Sequence, residues 1–105
     1  MVNTRDFRDT VQARALSDPE FREGLLTESV EAMLSGDTAT GKSLLRDYIK
    51  ATIGFQELGA LVNISPKNLM RMFSAKGNPT ANKLFNIIHT LQQKEGVQFQ
   101  VLALR

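Results

Sequence analysis

The chain has 105 residues, 42% of them apolar, with no cysteine, one histidine and a formal net charge of +2. That length supports a single domain over residues 1–105 with a modest core. The missing cysteines exclude disulfide staples, thiol catalysis and a Cys/His zinc cluster, so no metal or other cofactor is expected. The N-terminus M-V-N-T-R-D-F-R-D carries charge where a secretory signal needs an apolar stretch, and no run of about 18 uncharged apolar residues occurs; a cytoplasmic protein without a membrane partner is expected.

The total charge hides an asymmetry. Residues 1–36 hold four Lys/Arg against seven Asp/Glu, residues 37–65 three against three, and residues 66–105 six against one. A basic C-terminal part is the electrostatic footprint of a polyanion binder, although many solvated faces are basic too.

In chain order, Arg5 to Leu16 has the pattern of a short, charged helix with Phe7, Val11 and Ala15 on one side. Asp18-Pro19 is an N-cap followed by a first-turn proline. It opens a helix in which Phe21, Leu25, Leu26, Val30, Met33 and Leu34 follow three-to-four spacing until Gly36. Gly24 inside it costs about 1 kcal/mol against alanine, which the apolar stripe can carry.

Residues 36–43, G-D-T-A-T-G-K-S, then fit the phosphate-loop pattern G-x-x-x-x-G-K-[ST]. A phosphate loop needs a buried strand to aim backbone amides at the phosphates, further parallel strands, and a carboxylate to hold magnesium. Here the preceding E-S-V-E-A-M-L-S is a helix C-terminus, and the parallel strands are missing. Gly36 is expected to end one helix and Asp37 to cap the next. Gly41, Lys42 and Ser43 then lie within that helix, with Lys42 on its wet side. The helix carries Leu44, Leu45, Tyr48, Ile49, Thr52 and Ile53 on one face and stops near Gly54.

The stretch F-Q-E-L-G-A-L-V-N-I-S-P-K-N-L-M-R-M-F, Phe55 to Phe73, has the requirements of a helix-turn-helix. Two helices that cross steeply over a short turn need a small residue at the crossing, and Gly59 supplies it. Asn63, four positions later, can take the positive φ of the turn, and Ile64 and Leu69 lock the pair. Ser65-Pro66 caps and starts the second helix, expected to run to about Ser74. After K-G-N-P, Thr80 caps a longer helix with Leu84, Phe85, Ile87, Ile88 and Leu91 that ends at Gly96.

Residues 54–91, and above all I-S-P-K-N-L-M-R-M-F-S-A-K-G-N-P-T-A-N-K-L-F-N-I-I-H-T-L, resemble the Cro and lambda-repressor-like helix-turn-helix family, in particular its addiction-module antidote branch. Three positions depart from the family's usual pattern. Phe55 stands where many relatives carry a phosphate-binding glutamine, Gly59 replaces an alanine and Asn63 a glycine, the last two being tolerable exchanges. The resemblance implies an all-α, lambda-repressor-like bundle in which residues 1–53 add extra N-terminal helices to a core at 54–91.

In such folds the second motif helix lies in the major groove of double-stranded DNA. Leu69, Met72 and Phe73 repeat at helical spacing and are expected inside, which leaves Lys67, Asn68 and Arg71 for base readout. Pro66 only starts the helix. Lys76, Asn78, Thr80 and the amides that follow are placed to meet the DNA backbone, as is Gln56 at the start of the first motif helix; Ser65 completes the candidate DNA-binding set. His89 is expected to be structural or surface. Met33, Met70 and Met72 are simplest as core filler, with Met70 at the DNA margin as the alternative.

The last stretch, V-Q-F-Q-V-L-A-L at 97–104, alternates apolar and polar residues and has the pattern of a C-terminal β-strand. A lone strand needs a partner, and the same strand of a second copy would make a homodimer. The function expected is that of a sequence-specific transcriptional regulator. The alternative is an antitoxin whose acidic N-terminal helices neutralise a small basic toxin protein, with DNA binding as autoregulation. No nucleophile, base and oxyanion set is present in the sequence, so an enzyme is not expected.

Overall fold

The computed structural model describes residues 13–105. Residues 13–17 are helical and lead through Asp18 into α1 (Pro19–Leu34), α2 (Thr38–Ala51), α3 (Gly54–Val62), α4 (Pro66–Met72) and α5 (Ala81–Glu95). Phe7 and Val11 of the expected first helix lie outside the described residues; Ala15 from the same helix is buried.

Four of the five helices start on a side chain that satisfies an otherwise orphaned amide. Asp18 Oδ1 accepts from the Phe21 amide at 3.2 Å, Asp37 Oδ1 from Thr40 at 3.2 Å, Ser65 Oγ from Asn68 at 3.2 Å and Thr80 Oγ1 from Lys83 at 3.3 Å. Each such cap contributes about 1 kcal/mol to its helix. At the other ends the chain turns out of the helix through positive φ at Asn63 (+59°) after α3 and at Gly96 (+75°) after α5.

A single apolar cluster joins the elements. Leu26 from α1, Leu45, Tyr48 and Ile49 from α2, Phe55 and Leu58 from α3, Leu69 and Phe73 at α4, and Ile87, Ile88 and Leu91 from α5 are all buried in it. Leu26 is completely enclosed, so α1 is part of the core and not an appendage.

The α1 and α2 helices meet at Gly41, where an added Cβ would collide with Met33 Cγ and stand 2.9 Å from the Ser29 carbonyl oxygen. Ser29 is itself fully buried, and its hydroxyl donates to the Leu26 carbonyl at 2.7 Å. An ionic knot then fastens α1 to the far end of the chain. Arg22 Nε lies 3.1 Å from Glu95 Oε2, and its Nη1 donates at 2.7 Å to the Ala15 carbonyl. Tyr48 Oη donates to Glu95 Oε1 at 2.5 Å. Burial pushes the Tyr48 phenol well above its ordinary range, and the adjacent Glu95 carboxylate adds to the rise.

The expected C-terminal β-strand is corrected: among the described residues there is no strand, and the fold is all-helical. The alternation at 97–100 is real, with Val97 and Phe99 half-buried and Gln98 and Gln100 exposed. Alternation, however, reports only that one side of an extended segment leans on something. A strand also needs a neighbouring ladder of N–H and C=O groups. Here Phe99 packs against the helical core, and its amide donates instead to Gln92 Oε1 at 2.8 Å. Beyond it Val101, Leu102 and Leu104 are exposed. Strand pairing as the basis of a homodimer falls with the strand. No helix among the described residues is long and apolar enough to cross a membrane.

Candidate nucleic-acid interface

Helix α4 is held from behind. Its Leu69 is completely buried, Phe73 at its end is 2% exposed, and Met72 packs against the same cluster. Phe55 stacks tilted on Phe73 with ring centroids 6.5 Å apart, so Phe55 is a core anchor. The crossing with α3 is tighter than the sequence suggests. A Cβ on Gly59 would stand 2.5 Å from the Ile64 carbonyl oxygen, and the Ile64 amide donates back to the Gly59 carbonyl at 3.0 Å. Alanine at this position would force the turn backbone to shift.

The opposite side of α4 is open. Lys67, Asn68 and Arg71 are exposed, and among the described residues none of their side chains has a hydrogen-bond or ion-pair partner. Gln56, Ser65, Lys76, Asn78 and Thr80 are exposed as well. Met70 is 48% exposed on this open helix, which corrects its assignment as core filler. An α-helix with its side chains is about 10–12 Å across, which a major groove about 12 Å wide admits.

Arg71 and Asn68 share an open cleft of about 490 Å³ with Ser74, Lys76, Asn78 and Lys83. Four of the eight candidate residues are thus brought together, whereas Gln56, Ser65, Lys67 and Thr80 stand outside the cleft. Lys83 is an addition to the residues expected at the site. It follows the Thr80 cap by three residues, so the recognised helix start was the signal that could have found it.

The turn that carries Lys76 and Asn78 is folded under the end of α4. A Cβ on Gly77 would collide with the carbonyl oxygens of Arg71 and Met72; the Gly77 amide donates to the Ser74 carbonyl at 3.0 Å, and Ser74 Oγ donates to the Arg71 carbonyl at 2.6 Å. Lys42 completes this arrangement from α2: its ammonium donates to the Gly77 carbonyl at 2.5 Å and to the Ser74 carbonyl at 3.2 Å. Lys42 is therefore half-buried and engaged, contrary to the wet-side position expected of it.

The rest of the G-D-T-A-T-G-K-S string is structural too. It joins the end of α1 to the start of α2, and Gly41 is the contact point between them. Hydrogen bonds from Thr40 to the exposed Asp37 carboxylate hold its pKa below the ordinary value.

Among the described residues no group of three or more His, Cys, Asp or Glu could hold a metal ion. A second cleft, of about 260 Å³, lies against Arg22, Tyr48 and Glu95, whose polar groups satisfy one another. His89 is exposed. No protein-family model, curated protein or solved structure matches the chain.

Proposed function

We propose that the chain is a sequence-specific DNA-binding transcriptional regulator and not an enzyme. Helix α4 enters the major groove with Arg71, Asn68 and Lys67 toward the base edges, while Lys76, Asn78, Lys83 and the start of α5 meet the phosphates. The observation that carries this is the pairing of a fixed back with a free front. Leu69 and Phe73 anchor α4 in the core, and the side chains of Lys67, Asn68 and Arg71 are held out unpartnered within the described chain. Long polar side chains without intramolecular partners on a rigid helix are what two-pronged recognition of guanine or adenine requires.

Selection of bound sequences from a random duplex pool, repeated at two salt concentrations, tests this. The wild type is expected to enrich one motif, and a palindrome with half-sites about one turn apart would signal two copies. Arg71→Ala should lose about 1–3 kcal/mol on that motif and blur one base position. Equal binding of random and selected duplexes by both proteins would contradict the proposal.

One observation favours a second, compatible role as an antitoxin. Glu20, Glu23, Glu28 and Glu31 are all exposed on α1 and form no ion pair among the described residues. An acidic face of this kind suits a small basic protein. Reversing those four charges should release a copurifying basic partner and leave duplex selection intact.

A further inference from the structure

Lys42 joins two parts of the chain that lie 32 and 35 residues apart in sequence. Its ammonium draws together the carbonyls of Ser74 and Gly77, the two ends of the turn that follows α4. The same turn is closed by the Gly77 amide on the Ser74 carbonyl. It is pressed so closely beneath α4 that Gly77 has no room for a side chain. Lys76 lies inside the turn and Asn78 directly follows it, and both line the cleft shared with Arg71.

Carbonyl oxygens gathered at the end of a helix and in a tight turn carry partial negative charge, which a duplex phosphate avoids. A lysine ammonium donating to two of them neutralises that charge and fixes the turn. Bonds from a charged donor are also about twice as strong as neutral ones. We infer that Lys42 is a positioning residue for DNA binding: from α2 it clasps the turn after α4 so that Lys76 and Asn78 are presented to the duplex backbone in fixed register with Arg71. The lysine that imitates a nucleotide-binding motif would thus serve phosphate recognition indirectly, by holding the loop that meets the phosphate. This inference rests on the DNA-binding proposal above.

The clasp has a signature that does not depend on DNA. In the free protein, Lys42→Met should speed hydrogen exchange of the Gly77 amide by about tenfold, since it releases the acceptor side of that turn. With the selected duplex, the same variant should lose about tenfold in affinity, for random duplex as well as for the selected one, and its binding should depend less steeply on salt by about one phosphate contact. Lys50→Met removes an equal charge from an exposed position on α2 and serves as the control for net charge. It should leave Gly77 exchange unchanged and lose less affinity. Lys42→Arg, which can still donate to both carbonyls, should recover most of the loss. If a wild type that selects a motif yields a Lys42→Met variant with unchanged Gly77 exchange and no more loss than Lys50→Met, the clasp is overturned alone. If the wild type selects no duplex, the DNA reading falls, and the positioning role with it, whatever happens at Gly77.

Discussion

The α1–α2 pair and the α3–α4 pair each close around one glycine, Gly41 in the first and Gly59 in the second, and each keeps its leucines in the common core. They part in how they use charge. In the first pair Arg22 is tied to Glu95 and Lys42 to the turn after α4, so these two cations brace the fold; the carboxylates of α1 and the lone ammonium of Lys50 are left outside. In the second pair the side chains of Lys67, Asn68 and Arg71 have no partner among the described residues. What separates the two pairs is that the unengaged cations of the second, Lys67 and Arg71, stand together one turn apart on a single short helix.

The contrast can be broken most forcefully in the core. Leu26→Ala in α1 and Leu69→Ala in α4 should each cost about 2–5 kcal/mol, seen as a lowered thermal midpoint. Comparable losses would show that the N-terminal pair is as much a part of the fold as the α3–α4 pair. A much smaller loss for Leu26→Ala would make α1 a detachable arm. For the same reason, deleting residues 1–36 is a poor probe of partner binding, since it removes a completely buried core side chain along with the acidic face.

The two glycines sharpen the comparison. At Gly59 the obstacle is the backbone carbonyl of Ile64 at 2.5 Å, whereas at Gly41 the backbone obstacle, the Ser29 carbonyl, stands farther off at 2.9 Å and the nearest atom belongs to the Met33 side chain. Gly59→Ala should therefore cost about 1–3 kcal/mol, more than Gly41→Ala, by denaturant unfolding. Equal costs would mean that the helix-turn-helix crossing is no tighter than its neighbour.

Tyr48→Phe isolates the knot that ties the first pair to α5. It should cost about 1–2 kcal/mol near neutral pH, because it removes a hydrogen bond to a charged group. The folded Tyr48 holds its proton more tightly than the unfolded chain, so its contribution is complete below the ordinary phenol value of 10.0 and declines as pH rises above it. Alkaline unfolding should accordingly be less steep in Tyr48→Phe than in the wild type.

Asp37 gives the smallest effect and the opposite sign. Its carboxylate is favoured in the folded state, so the cap contributes above the ordinary value of 3.8 and is lost as pH falls below it. Asp37→Asn keeps an acceptor for Thr40 and should flatten that part of the acid limb in a pH series of thermal melts.

What the sequence made visible was local. The caps at Asp18, Asp37, Ser65 and Thr80 each lie three residues from the amide they satisfy, and Gly59 and Asn63 answer to one turn. The exposed polar side of α4 follows from the spacing of Leu69, Met72 and Phe73. What stayed hidden depended on distant partners. Arg22 and Glu95 are 73 residues apart, and nothing near Lys42 announces that Ser74 and Gly77 will come to it. The tail was misjudged for a related reason: alternation records which side chains turn inward, and the ladder that would have made a strand depends on another segment of chain.

The most direct test of the account is a titration of the labelled protein with its selected duplex, followed by backbone amide shifts. The largest changes should fall on residues 65–71 and 76–83, with residues 19–34 left nearly still. Changes concentrated on 19–34, with 65–71 silent, would contradict the claim that the free face of α4 meets DNA.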